Sequence, residues 1–309
     1  MRILILGAGA VGGYFGGRLV EAGADVTFFV RPARAELLAA QGLRIDSPAG
    51  NLVAPVKTIS DPKALAPFDL VIVTCKAYDL DASLNDLAGS IGPETTILPL
   101  LNGLLHVEKI AARFPQARVW GGVARISAAL QNDGAIHHAD DFARIDFGAR
   151  DGRSDALADE LAALYAKTHV VAIHSPNILR EMWDKLVFLA TLAGMNTLMR
   201  ATIADIKAAP AGERLIRQML SECADVAGAE GFAFDAARVA QHGDSLTLRA
   251  APMKSSMLHD IERCAPTEGE HILGDLYARA LRHGVSAPLL EIALTHVQTY
   301  EARRARGGL

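Results

Sequence analysis

Apolar residues along this chain follow two different rhythms. In the first half they form short solid runs separated by polar or glycine-rich stretches. Residues 1–6, 25–30, 69–75 and 95–101 are such runs, rich in Ile, Leu and Val, and each reads as a strand buried in a parallel sheet. Residues 119–129 continue the pattern. Asn132-Asp133-Gly134 is a turn signal between two strand-like runs and predicts a hairpin, and residues 170–173 read as the last strand. After Ser175-Pro176-Asn177 the spacing becomes helical, rich in Ala, Leu, Arg and Glu. Residues 178–200 are apolar on most faces, which predicts a central helix buried among others.

The first run, Met1-Arg2-Ile3-Leu4-Ile5-Leu6, leads directly into Gly7-Ala8-Gly9-Ala10-Val11-Gly12. A strand running into Gly-x-Gly-x-x-Gly, with a second strand at βαβ distance, is the fingerprint of a dinucleotide site. The first glycine permits the tight turn, the second lets a pyrophosphate approach the backbone, and the third lets helix and strand pack closely. The N–H groups of the helix start then face the phosphates. Gly7, Ala8, Gly9, Ala10, Val11 and Gly12 are therefore the expected cofactor-binding loop. The second strand ends at Arg31, where an acidic residue would favour a ribose 2′-hydroxyl; a guanidinium favours a 2′-phosphate. The expected cofactor is NADPH. The fold class that follows is α/β: a Rossmann-type domain over residues 1–174, then an all-α substrate-binding domain over residues 175–309. The active site is expected in the cleft between them.

Composition narrows the alternatives. Half of the 309 residues are hydrophobic and 21% are charged, a globular balance. A net charge of −4 argues against nucleic-acid or anionic-membrane binding. Cys75, Cys223 and Cys264 are odd in number and widely spaced, which fits a reducing cytoplasm. The longest apolar stretch, residues 186–199, is too short to span a bilayer. Residues 135–141, with His137 and His138, carry metal-ligand side-chain types, but neighbours on a hairpin face opposite ways. They read as an exposed loop, and no metal is expected.

Reduction of a carbonyl needs a proton donor for the developing alkoxide. Lys185 stands inside the apolar helical run, where lost solvation would lower its pKa toward a useful value; the alternatives are snorkelling or pairing with Glu181 one turn earlier. Thr267 and Glu270 have capping-box spacing, which would put Glu268 in the first turn of a helix, where the helix dipole favours an anion.

The loop at residues 7–12, Cys75-Lys76-Ala77-Tyr78, Leu101-Asn102-Gly103-Leu104, Trp183-x-Lys185, Ser255-Ser256-Met257-Leu258-x-Asp260 and Thr267-Glu268 occur in this order. In this the chain resembles the ketopantoate reductase family over essentially its whole length. The resemblance implies NADPH-dependent reduction of 2-dehydropantoate to (R)-pantoate in pantothenate synthesis. It implies Lys185 as proton donor and Glu268 beside the substrate and nicotinamide. Ser256 would meet the substrate carboxylate. Asn102 would bridge cofactor and substrate and help hold Lys185. Lys76 and the Ala128 backbone would lie at the cofactor.

The chain also departs from that family. Leu189 and Ala193 stand four and eight residues after Lys185, where asparagines are common in it, and Met253 stands at another such place. Asn196, about 20° around the helix from Lys185, is the expected partial substitute as a substrate ligand. Loss of polar partners can change discrimination by orders of magnitude, so a more apolar 2-oxo acid is the alternative substrate. A D-2-hydroxyacid dehydrogenase and a non-catalytic NADP(H) sensor are the rival readings. The expected partner is a small 2-oxo acid, and a helical domain of this kind also offers a face for a homodimer.

Overall fold

β1 (Arg2–Leu6) leads through the glycine loop into α1 (Ala10–Glu21), then β2 (Asp25–Phe29) and α2 (Pro32–Gln41). The structure is a computed structural model that describes residues 1–247 and 252–308. Three short strands follow: β3 (Leu43–Asp46), β4 (Leu52–Ala54) and β5 (Lys57–Ile59). Next come β6 (Leu70–Val73), α3 (Leu80–Asp86), β7 (Thr96–Pro99) and α4 (Leu105–Arg113). The series closes with β8 (Arg118–Leu130), β9 (Ile136–Ala149), α5 (Ala156–Tyr165) and β10 (Val171–His174).

Among the described residues all ten strands belong to one sheet, in the order β4-β3-β9-β8-β7-β6-β1-β2-β5, with β10 on β9. Pairing from β8 through β7, β6, β1 and β2 to β5 is parallel, and β8 and β9 form the expected antiparallel hairpin. The parallel strands are solid apolar runs because helices cover both faces of such a sheet. Ile3, Ile5, Phe28, Leu70, Ile72 and Leu98 are almost fully buried in the resulting core. Each such side chain contributes about 1.5–3 kcal/mol on burial.

The remaining helices are α6 (Ile178–Met199), α7 (Ile203–Ala208), α8 (Gly212–Ala229) and α9 (Ala236–Thr247). They are followed by α10 (Ser256–Glu262), a π-helical turn (Glu270–Gly274), α11 (Asp275–His283) and α12 (Pro288–Ala305). α8 buries Ile216, Met219, Leu220, Cys223 and Val226 at helical spacing. Gly194 of α6 lets Met219 of α8 and Ala293 of α12 come close. The buried carboxylate of Glu222 on α8 accepts from the N–H groups of Leu289 and Leu290 and so caps α12.

The chain divides into two compact units. One comprises Met1–Leu101 and His106–Met182; the other comprises Asn102–Leu105 and Trp183–Leu309. The division falls inside α6 and not at residue 174, because the first turns of α6 pack on the sheet: Gly121 of β8 lies against Ile178 and Met182. The short loop holding Asn102 belongs with the helices.

Two local expectations need correction. The Thr267–Glu270 capping box does not form. Both the N–H and the hydroxyl of Thr267 donate to Glu301 of α12, and Glu270 accepts from Gln298. Glu268 therefore stands just before the π-helical turn, its carbonyl accepting from the Ile272 N–H at 3.0 Å. His138 is not in an exposed loop. It lies on β9, fully buried, with Nδ1 2.8 Å from Ser47 Oγ, while His137 points outward as strand alternation requires.

Candidate active site

The sheet unit carries the nucleotide cradle. Gly7 adopts a φ of +93° as it leaves β1, and its N–H donates to the Phe29 carbonyl at the end of β2. A Cβ on Gly12 would lie 2.2 Å from Thr74 Oγ1 and 2.3 Å from the Gly7 carbonyl, so only glycine allows α1 to approach β1 and β6 this closely. Gly9 is different: a Cβ there would meet nothing within 4 Å. α1 begins at Gly9 without a side-chain cap, which leaves its first-turn N–H groups and the positive end of its dipole to an anion. Open space over Gly9 and an uncapped helix start fit a pyrophosphate.

The cradle opens into a cavity of about 580 Å³ lined by Gly7, Gly9, Arg31, Arg34, Thr74 and Asp79 among others. Arg31 stands at the start of α2, and its Nη2 lies 3.2 Å from Asp79 Oδ2. Arg34 is half-buried. Its Nε and Nη2 donate to the Ala8 carbonyl and its Nη1 to the Gly134 carbonyl, so it braces the glycine loop against the β8–β9 turn. Burial, followed by the charge of Arg44, lowers the pKa of Arg34 from its usual value. Thr74 donates to the Leu6 carbonyl at 2.7 Å and forms the floor beneath Gly12. Reading the sequence alone assigned no site role to Arg34, Thr74 or Asp79. The signal for Arg34 was its place in the first turn of α2, beside the loop it supports.

Lys76 precedes a single turn of 3-10 helix (Ala77–Asp79) just after β6, half-buried. Ala128 lies on β8 opposite His138, at a register shift between Ile126 and Ala128. Such a bulge re-aims backbone groups.

The helical unit carries the second group. Lys185 sits about two turns into α6, partly buried, and its Nζ donates to Asn102 Oδ1 at 2.8 Å. Glu181, one turn earlier, instead faces Arg125 at 3.4 Å. Asn102 is followed by Gly103, whose φ is +87°. A Cβ on Gly103 would come within 2.9 Å of the His271 ring and 3.0 Å of the His271 carbonyl. The Asn102 loop is thus seated on the π-helical turn, directly after the buried Glu268. Such turns are frequent at functional sites.

Ser255 caps α10, its hydroxyl accepting from the Leu258 N–H, and the hydroxyl-bearing Ser256 is the exposed first residue of that helix. Asn196 does not serve as the expected substrate ligand. It is fully buried; Nδ2 donates to the carbonyls of Ala201 and Met253, and Oδ1 accepts from the Ser255 N–H at 2.7 Å. Its amide is committed to holding the segment that presents Ser256. Among the described residues no helix is long and apolar enough to cross a membrane.

Residues 3–152 match the family described as ketopantoate reductase PanE/ApbA, and residues 177–301 match its C-terminal counterpart. The chain is 38% identical to an uncharacterized oxidoreductase, YkpB, of Bacillus subtilis (strain 168), covering 98% of this chain and 100% of the relative. The crystal structure of 2-dehydropantoate 2-reductase from Methylococcus capsulatus superposes with a TM-score of 0.90 at 27% identity, covering 99% of this chain and 98% of that one. A dimeric ketopantoate reductase from Staphylococcus aureus gives a TM-score of 0.83 at 25% identity over 98% and 100% of the two chains. With both halves of the chain matched, the protein belongs to the ketopantoate reductase family and is an oxidoreductase.

Proposed function

We propose that this protein is an NADPH-dependent reductase of 2-oxo acids, converting 2-dehydropantoate to (R)-pantoate in pantothenate biosynthesis. The observation that carries the reading is the hydrogen bond from Lys185 Nζ to Asn102 Oδ1 at 2.8 Å. The bond fixes the direction of the ammonium, the group that would donate to a substrate oxygen.

The glycine loop would hold the pyrophosphate of NADPH, and Arg31 its 2′-phosphate, with Lys76 and the Ala128 backbone toward the nicotinamide. When bound, NADPH supplies a hydride. Lys185 donates the proton to the oxygen of the 2-oxo group as that oxygen becomes an alkoxide, so the carbonyl gains one hydride and one proton overall. Asn102 holds the ammonium in place, Ser256 binds the substrate carboxylate, and Glu268 accepts from a substrate hydroxyl. Loss of any of these would misplace groups that act only at short range. By analogy with the dimeric relative, two copies pair as a homodimer.

A second reading rests on α6 itself. One turn beyond Lys185 stands the partly exposed Leu189, and beyond it the buried Ala193; Asn196 is held by backbone partners. This helix face offers a substrate apolar contact and no hydroxyl partner, which suits a 2-oxo acid with an apolar side chain. NADPH absorbance followed with ketopantoate and with branched and aromatic 2-oxo acids separates the two. Preference for ketopantoate in kcat/KM supports the first reading, and preference for an apolar acid the second. Absence of NADPH oxidation with every acid, or turnover unchanged in Lys185→Ala, overturns both.

A further inference from the structure

Arg31 does not stand alone in the nucleotide cavity. It is the residue before α2, and Asp79 is the last residue of the 3-10 turn before α3; both line the same cavity. Nη2 of Arg31 lies 3.2 Å from Oδ2 of Asp79. The guanidinium that would take a 2′-phosphate therefore already has an anionic partner belonging to the chain.

We infer that Asp79 is a specificity-determining residue that competes with the 2′-phosphate for Arg31 and so limits the preference for NADP over NAD. This rests on the reading of the cavity as a site for NADP(H). A phosphate must either displace the carboxylate from the guanidinium or remain beside it as a like charge, and both weaken its binding. A 2′-hydroxyl meets neither penalty, and it can donate a hydrogen bond to Asp79. The pair is solvent-facing, Arg31 being 84% and Asp79 42% exposed. An exposed pair of this kind is weak, so the carboxylate moderates the preference without abolishing it. Asp86 also lines the cavity, and among the described residues Arg31 pairs with Asp79 and not with Asp86, which makes Asp86 a control for general charge.

The test is calorimetric titration of the full-length protein with NADP⁺ and with NAD⁺, which reads binding without turnover. Asp79→Asn should tighten NADP⁺ by about two- to fivefold and leave NAD⁺ unchanged or weaker. The gain should disappear when Arg31→Ala is added. Thermal unfolding of each variant verifies that the fold is kept. The inference is overturned if Asp79→Asn leaves NADP⁺ affinity unchanged, tightens both nucleotides alike, or is matched by Asp86→Asn. If NADP⁺ affinity does not fall in Arg31→Ala, the assignment of the 2′-phosphate to Arg31 is at fault. If the wild type binds neither nucleotide, the cofactor reading fails and takes this inference with it.

Discussion

Lys185 Nζ donates to Asn102 Oδ1 across 2.8 Å, joining the middle of α6 to a loop that lies 83 residues earlier in the chain. The bond gives the ammonium an orienting acceptor. Removing the donor should remove proton transfer, and removing the acceptor should only misplace it. Lys185→Ala is expected to lower kcat by about 100- to 10,000-fold. Asn102→Ala should cost about 10- to 100-fold. Steady-state kinetics checks both, and an Asn102→Ala enzyme as active as wild type would contradict the positioning role.

Gly103 carries the next prediction. Its φ of +87° and the 2.9 Å approach to His271 leave no room for a side chain. Gly103→Ala should destabilise the protein by about 1–3 kcal/mol through backbone strain alone, and kcat should fall as Asn102 moves. Gly284 also has a positive φ, of +67°, but a Cβ there would meet nothing within 4 Å. Gly284→Ala should therefore lower the thermal midpoint without touching kcat.

Within the glycine loop the two kinds of constraint separate. Gly12→Ala forces a Cβ onto Thr74 and the Gly7 carbonyl and should cost about 1–3 kcal/mol of folding stability. Gly9→Ala meets no protein atom, so stability should hold to within about 0.5 kcal/mol while NADPH affinity drops. Urea unfolding and a binding titration on the same two variants distinguish packing from ligand approach. Equal effects on both measurements for Gly9→Ala would contradict the assignment of that open space to the pyrophosphate.

These glycines show why the amino-terminal fold was legible. β1, β2, β6 and β7 are apolar runs bounded by turn residues, and burial on both faces leaves that signature in the sequence. β3, β4 and β5 were not found, because runs such as Leu43–Asp46 and Lys57–Ile59 mix polar and apolar residues. They become strands only by pairing with β9 and β2. The capping box at Thr267 failed for a related reason: Glu301, 34 residues away, takes both donors of Thr267, and no local pattern reports a distant competitor. Asn196 was on the right helix, but its amide is claimed by the Met253–Ser255 segment. Helical periodicity gives a residue's face; it does not give what packs there.

Asp184, adjacent to Lys185, offers a test by pH. Burial pushes its carboxyl up, but hydrogen bonds from His242 and Arg238, and their charges, outweigh burial and hold it well below the ordinary carboxylate range. His242 Nε2 lies 3.0 Å from Asp184 Oδ1, and Arg238 Nε donates to the same oxygen at 2.6 Å, so the carboxylate ties α9 to α6. A carboxyl with a depressed folded-state pKa binds fewer protons folded than unfolded. Its stabilisation is therefore fully present above its unfolded pKa of about 4 and is lost as pH falls through the lower folded value. Asp184→Asn should cost about 2–4 kcal/mol at neutral pH, since it leaves the partners of a largely buried pair uncompensated. Because the lost term itself fades in acid, the gap between variant and wild type should narrow steadily below about pH 4. Urea unfolding at neutral pH and at successively lower pH reads this directly. A gap that stays constant as pH falls would mean that packing, and not the charge of Asp184, joins the two helices.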